Sequence, residues 1–152
     1  MIDRELSPIR VTGKMLTMES VSCTGKQLGQ LLQSLAPWVG SCNWYLLDIQ
    51  TNNRVPSLAA QVNHPLCLTH VDLDALCDQV DQFLSGIFLA VPAHIRDPRL
   101  FTDAVTEDEP SADLGDAIVE IRAFDTSYFE IYTADPDVGR HLQKQYPLSA
   151  AR

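Results

Sequence analysis

The sequence predicts an α+β fold: two layers, a mostly antiparallel or mixed sheet with about three helices mainly on one face. Three observations predict it. Two stretches place leucine and other apolar residues at helical spacing. Several shorter stretches alternate or run apolar at strand length. Two of those strands are separated by only three residues, which antiparallel pairing allows and parallel pairing does not. A length of 152 residues suits a single globular domain spanning 1–152. With 45% hydrophobic and 20% charged residues the chain is composed as a folded protein rather than a disordered one.

Residues 1–13 read as a loose N-terminal arm, and residues 14–22 as an imperfectly alternating strand. Thr24-Gly25-Lys26-Gln27 fits a capping box, in which the Thr hydroxyl accepts the N–H three residues on and Gln reaches back. Leu28, Leu31, Leu32 and Leu35 then form one apolar stripe, and Pro37 is expected to stop the helix. Residues 42–50 read as a strand with Trp44, Leu46 and Asp48 facing one way, followed by a turn at 51–54. Residues 55–62 suit a strand or a short helix. Thr69 to Asp72 supply a second cap. Leu73, Leu76, Cys77, Val80, Phe83 and Leu84 continue at helical period up to Gly86, so the second helix is expected to run that far.

Residues 87–92 are almost all apolar and predict a central strand buried on both faces. Residues 93–116 predict a long acidic surface loop. Residues 117–124 and 128–133 predict a hairpin turned by Asp125-Thr126-Ser127. Its dry face carries Val119, Ile121, Ala123, Phe129 and Ile131. Its wet face carries Glu120, Arg122, Tyr128, Glu130 and Tyr132. Asp135 caps a last helix through about Gln145, ended by Pro147.

Charge is unevenly placed. Residues 48–116 hold twelve acidic and three basic side chains, a net of −9 that equals the charge of the whole chain. A field of that sign repels nucleic acid and anionic membrane and attracts basic partners. No apolar run reaches the roughly 18 residues of a membrane span. The first ten residues lack the apolar core of a secretory signal, so a cytoplasmic location is expected. Four cysteines (Cys23, Cys42, Cys67, Cys77) then read as reduced and mostly buried thiols.

The acidic side chains define the first candidate site. Asp74, Asp78 and Asp81 recur at i, i+4, i+7, opposite the apolar stripe of the second helix. The loop adds Glu107, Asp108 and Glu109, with no basic residue between 100 and 121. Like charges at that spacing oppose helix formation, and their placement gives either plain solubility or a docking face for a basic protein. Tyr128 and Tyr132 are candidate anchors beside it. The loop lacks the alternating oxygen ligands and fixed glycine of a calcium site. His64-x-x-Cys67-x-x-His70 offers ligand types that zinc takes, but a three-residue step in an extended chain alternates faces, so no metal and no other cofactor is expected. Cys23, just before a helix cap, stands where a thiol pKa is lowered and also where a buried strand-end cysteine would stand. No nucleophile elbow, zinc-protease helix or phosphate-binding glycine loop is present, and no catalytic residue is assigned.

Asn43-Trp44-Tyr45 and the run from Asp125 to Tyr132 resemble small bacterial proteins of the class that confers immunity to polymorphic toxins. That resemblance implies a bacterial, cytosolic, toxin-binding role. Three functions stay open at this point. The first is a stoichiometric, immunity-type inhibitor of a basic toxin domain. The second is a small ligand-binding or enzymatic domain with a pocket beside residues 93–116. The third is a structural or adaptor subunit of a homo-oligomer built on the aromatic hairpin.

Overall fold

The computed structural model describes residues 8–62, 64–100 and 114–147, without the side chains of residues 60–62. The sheet is antiparallel throughout and six-stranded. Its strands are β1 (Ile9–Val11), β2 (Cys42–Thr51), β3 (Leu66–Thr69), β4 (Phe83–Pro92), β5 (Val119–Phe124) and β6 (Tyr128–Thr133), in the order β1-β6-β5-β4-β2-β3. Among the described residues four α-helices accompany it: α1 (Gly13–Thr17), α2 (Gly25–Val39), α3 (His70–Cys77) and α4 (Pro136–Gln145). Leu16, the leucine stripe of α2, Leu73 and Leu76 of α3, and Val138 and Leu142 of α4 all enter one core with Trp44, Phe88, Ile121, Phe129 and Ile131. The expected two-layer α+β architecture is therefore the one observed.

The capping box of α2 forms in full. Thr24 Oγ1 accepts from Gln27 N at 3.1 Å, and Gln27 Oε1 accepts from Thr24 N at 3.1 Å. Pro37 does not stop the helix. It is exposed in the last turn, and the helix runs on to Val39. β4 lies inside the sheet as its apolar run predicts, and the β5–β6 hairpin forms in the expected register, with Phe124 opposite Tyr128.

Four expectations are corrected. Residues 9–11 are no loose arm: Ile9 and Val11 are buried and pair with Ile131 and Phe129. Residues 14–22 hold a short helix rather than a strand, because Thr12 caps it by accepting from Met15 N, and Leu16 turns into the core. Asp48 does not follow Trp44 and Leu46 inward. It adopts φ 53 at a β-bulge, which brings Ile49 into the core in its place. The second helix ends at Cys77, and Phe83, Leu84 and Gly86 belong to β4. The ambiguous 55–62 stretch is a 3-10 helix over Pro56–Val62.

The outer face of the sheet, away from the helices, is covered as well. Leu47, Ile87, Leu89, Val91 and Tyr132 pack there with Leu114 and Ala117, and Ile95 and Leu100 close over them. The ends of the 93–116 segment are thus folded against the sheet. They are joined by Arg99 N to Asp116 Oδ2 at 2.5 Å and Asp116 N to Arg99 O at 3.1 Å. Residues 101–113, with Glu107, Asp108 and Glu109, lie outside the described residues. The face expected to be wet is dry: Glu120, Arg122 and Glu130 are 3%, 3% and 7% exposed. Charge is tolerated there because it is paired. Arg122 Nε meets Glu120 Oε2 at 2.6 Å, Arg10 Nε meets Glu130 Oε2 at 3.0 Å, and Tyr132 OH donates to Glu130 Oε1 at 3.2 Å.

Candidate interaction surface

One end of the sheet collects most of what is unusual in the molecule. Here β2 and β5 end and β4 and β6 begin, with Thr51 opposite Phe83, Ser85 opposite Phe124 and Phe124 opposite Tyr128. Among the described residues, five non-glycine residues have positive φ: Met18, Cys23, Asp48, Asp125 and Thr126. Four of the five meet at this end. Cys23 O accepts from Phe83 N at 2.7 Å, and its thiol donates to Tyr128 O at 3.2 Å. Asp48 O accepts from Ser85 Oγ at 2.7 Å. Asp125 and Thr126 are the hairpin turn itself, closed by Ser127 N donating to Phe124 O at 2.9 Å. Left-handed backbone at a β-branched residue such as Thr126 is unfavourable by roughly 1–2 kcal/mol. Positive φ at Asp125 and Thr126 is the geometry of a tight hairpin turn, while Cys23 and Asp48 hold theirs outside any such turn.

The side chains at this end combine apolar, aromatic and acidic groups. Phe124 and Tyr128 stack with ring centroids 5.6 Å apart and planes 7° from parallel, and the Arg10 guanidinium lies 5.1 Å above the Tyr128 ring. Leu84, next to Ser85 at the start of β4, is 40% exposed. Asp125 is exposed on the turn. Asp78 and Asp81 are exposed on the connection from α3 into β4, and two asparagines clamp that connection. Asn53 Oδ1 accepts from Asp81 N and Asn52 Oδ1 from Gln82 N, each at 3.0 Å, while Asn53 Nδ2 donates to Gln79 O at 2.8 Å. The Asn-Asn turn signal thus fixes where these aspartates stand. Asp78 caps the C-terminus of α3, the negative end of its dipole, where a carboxylate lowers helix stability.

The predicted site residues are therefore only partly brought together. Asp78, Asp81 and Tyr128 share the sheet end. Asp74 is half-buried on α3 and turned toward α2, its Oδ1 3.6 Å from where a Cβ on Gly29 would sit. The helical i, i+4, i+7 face does not exist, because α3 stops before Asp78. Tyr132 shares the outer face with Glu130 as expected, but at 8% exposure it is a packing residue and not an available anchor. Sequence reasoning missed Leu84, Phe124 and Asp125 as members of the surface. The Asp125-Thr126-Ser127 turn was the signal that could have found the last two.

Of the candidate thiols, Cys23 and Cys77 are buried. Burial pushes the Cys23 pKa up to about 12, which fits the buried strand-end reading and not the lowering that a helix start could give. Burial also raises the Cys77 pKa, with Asp74 and Asp78 adding to it. Cys67 is exposed on the outer face, and its side chain is hydrogen-bonded to Tyr45. His70 sits on the inner side, where its Nδ1 accepts from Trp44 Nε1 at 3.1 Å. Cys67 and His70 therefore do not converge. Among the described residues no group of three or more His, Cys, Asp or Glu is placed to hold a metal ion. Nor is any described helix long and apolar enough to cross a membrane. The pocket expected beside residues 93–116 falls largely outside the described residues. One described cavity, about 320 Å³ between Ile49, Thr51, Arg54, Val55 and Leu58, opens near the end of β2 instead.

Fold and surface together define a small antiparallel α+β module with a braced, acidic and aromatic end. Comparisons of the chain with protein-family models, with curated proteins and with solved structures find no match.

Proposed function

We propose that this chain is an acidic protein-binding module of the immunity type, which neutralises a basic toxin domain by stoichiometric binding at the hairpin end of the sheet. The observation that supports this reading is the placement of exposed Asp78, Asp81 and Asp125 at the same end of the sheet as Leu84, Phe124 and Tyr128, on a hydrogen-bonded frame with left-handed backbone. Carboxylates speed the approach of a basic partner and reject acidic ones. Tyrosine and phenylalanine supply contact area with little side-chain entropy to lose. A frame already held in its bound shape lowers the ordering cost of association.

The test begins with a tagged pull-down from source-cell lysate at low and moderate salt, with mass spectrometry of what is bound. The expected result is one basic protein in equal amount, toxic when expressed alone and harmless when this chain is expressed with it. Toxicity that persists on co-expression, or recovery of no basic protein, overturns the proposal. With the partner in hand, the Asp78→Asn, Asp81→Asn, Asp125→Asn triple variant is expected to slow association about tenfold at low salt. An unchanged rate removes the hairpin end as the docking surface.

A further inference from the structure

The two edges of the sheet are guarded differently. An edge strand offers a row of N–H and C=O groups to any further strand, and proteins blunt such edges with charge, proline, bulges or brevity. β1 is three residues long and carries Arg10, whose side chain is 55% exposed. At the other edge stands β3, Leu66-Cys67-Leu68-Thr69. It is uncharged in a chain of net charge −9, in unbroken register with β2, which is its one strand neighbour among the described residues. Pro65 lies just before it and leaves the four residues clear.

We propose that β3 pairs antiparallel with β3 of a second copy of this chain, joining two sheets across a two-fold axis. Side-chain parity fixes the register. Cys67 points to the outer face, against Tyr45, whereas Leu66 and Leu68 are half-buried against the helix-side core. An axis perpendicular to the sheet keeps both helical layers on one side, so outer residues must face outer residues. Centring the axis on Cys67 sets each Cys67 opposite its counterpart, and each Leu66 opposite Leu68 of the second copy. Centring it on Leu68 would set Leu66 against His70, where the chain has already turned into α3, and one leucine pair would be lost.

The ends match as well. His64 is exposed at the head of the strand, and the pairing brings it beside the first turn of α3 in the other copy. Asp72 is exposed there and can accept an imidazole N–H. Val71, 74% exposed, lies at the same junction and is covered by the pairing. β3 lies against residues 43–46 of β2, the end of the sheet remote from the hairpin turn, so the paired form leaves the candidate interaction surface open. The pairing is independent of the proposed function, and either can hold without the other.

Sedimentation velocity on the purified chain in reducing buffer, at rising concentration, should show a species of twice the monomer mass. Cys67→Lys sets two like charges at the centre of the pairing and should return the monomer mass, while Cys67→Ser should leave the dimer intact. Circular dichroism checks that both variants are folded. A second measurement needs no variant. A mild diazene oxidant takes up two electrons and two protons from a pair of thiols, becoming the hydrazine as one disulfide forms. Opposed residues in antiparallel strands lie roughly 4.5–5.5 Å apart at Cα, within disulfide reach. The expected product is a covalent dimer linked Cys67 to Cys67, identified by peptide mass; Cys23, Cys42 and Cys77 are buried. A monomer at every concentration, a dimer indifferent to Cys67→Lys, or a dimer that forms no Cys67 disulfide overturns the proposal.

Discussion

Removing one partner of the Glu120–Arg122 pair should unfold this protein far more readily than removing both. The two side chains are 5% and 4% exposed and meet at 2.6 Å on the covered face of the sheet. Arg122→Met takes the guanidinium away from the buried Glu120 carboxylate, and Glu120→Leu takes that carboxylate away from Arg122, which also stands across the strands from Glu130. Breaking a buried ion pair by removing one partner costs about 3–5 kcal/mol, a large share of the roughly 5–15 kcal/mol that holds a domain folded. The double variant removes both charges of the pair. The loss of Coulomb attraction is offset by the desolvation no longer required, so its cost should be smaller than that of either single variant. Arg10→Met serves as the control, since Arg10 is 55% exposed and its bridge to Glu130 should be worth at most about 1 kcal/mol. Urea denaturation of the four variants, followed by far-ultraviolet circular dichroism, gives the cycle. Single variants that lose less than about 1 kcal/mol, or a double variant whose loss equals the sum of the singles, would refute the reasoning.

Four further outcomes are expected. His70 should make stability depend on pH: burial lowers its pKa, although Asp74 and the Leu32 carbonyl act the other way. With the folded value below the free one, the contribution is complete above the free imidazole value and fades as pH falls toward the folded value. His70→Gln should flatten that slope in denaturation measured at successive pH values, and an unchanged slope would show that another group carries it. Gly25→Ala should destabilise by at least about 1–3 kcal/mol, because its Cβ would lie 2.1 Å from Cys77 O and 2.3 Å from Val80 O; Gly139→Ala in α4, with nothing within 4 Å, should stabilise by roughly 0.5–1 kcal/mol. Thr126→Gly should raise thermal stability by about 1 kcal/mol by relieving the turn at φ 58, and a lower melting temperature would mean that the strain is not where the backbone places it.

Local signals explain which elements the sequence reveals. α2 is legible because Thr24, Gln27 and the leucine stripe all specify the same helix. The hairpin is legible because its pairing spans only three turn residues. α3 is misread past Cys77 because Val80, Phe83 and Leu84 keep helical period, while what ends the helix comes from elsewhere: Asn52 and Asn53 take the backbone N–H groups of Gln82 and Asp81. β1 is too short to show periodicity, and its partner lies at the other end of the chain. Glu120, Arg122 and Glu130 alternate as solvent-facing residues do, and nothing near them in sequence announces that they are covered. The interaction surface was half legible for the same reason. Its aspartates and Tyr128 stand out by type, but Leu84 and Phe124 join them only through strand pairing.

The pairing of β1 with β6 bears on how the protein is made. Arg10 and Glu130 meet across 120 positions, so the first strand of this sheet to be synthesised is among the last to find its place. At typical elongation rates Ile9 and Val11 wait roughly ten seconds for β6 to follow them out. A nascent chain halted before Tyr128 lacks both β6 and the seat for β1, and the edge of β5 stays open. Completion of the sheet thus waits for β6, and until then the β5 edge is open to other strands.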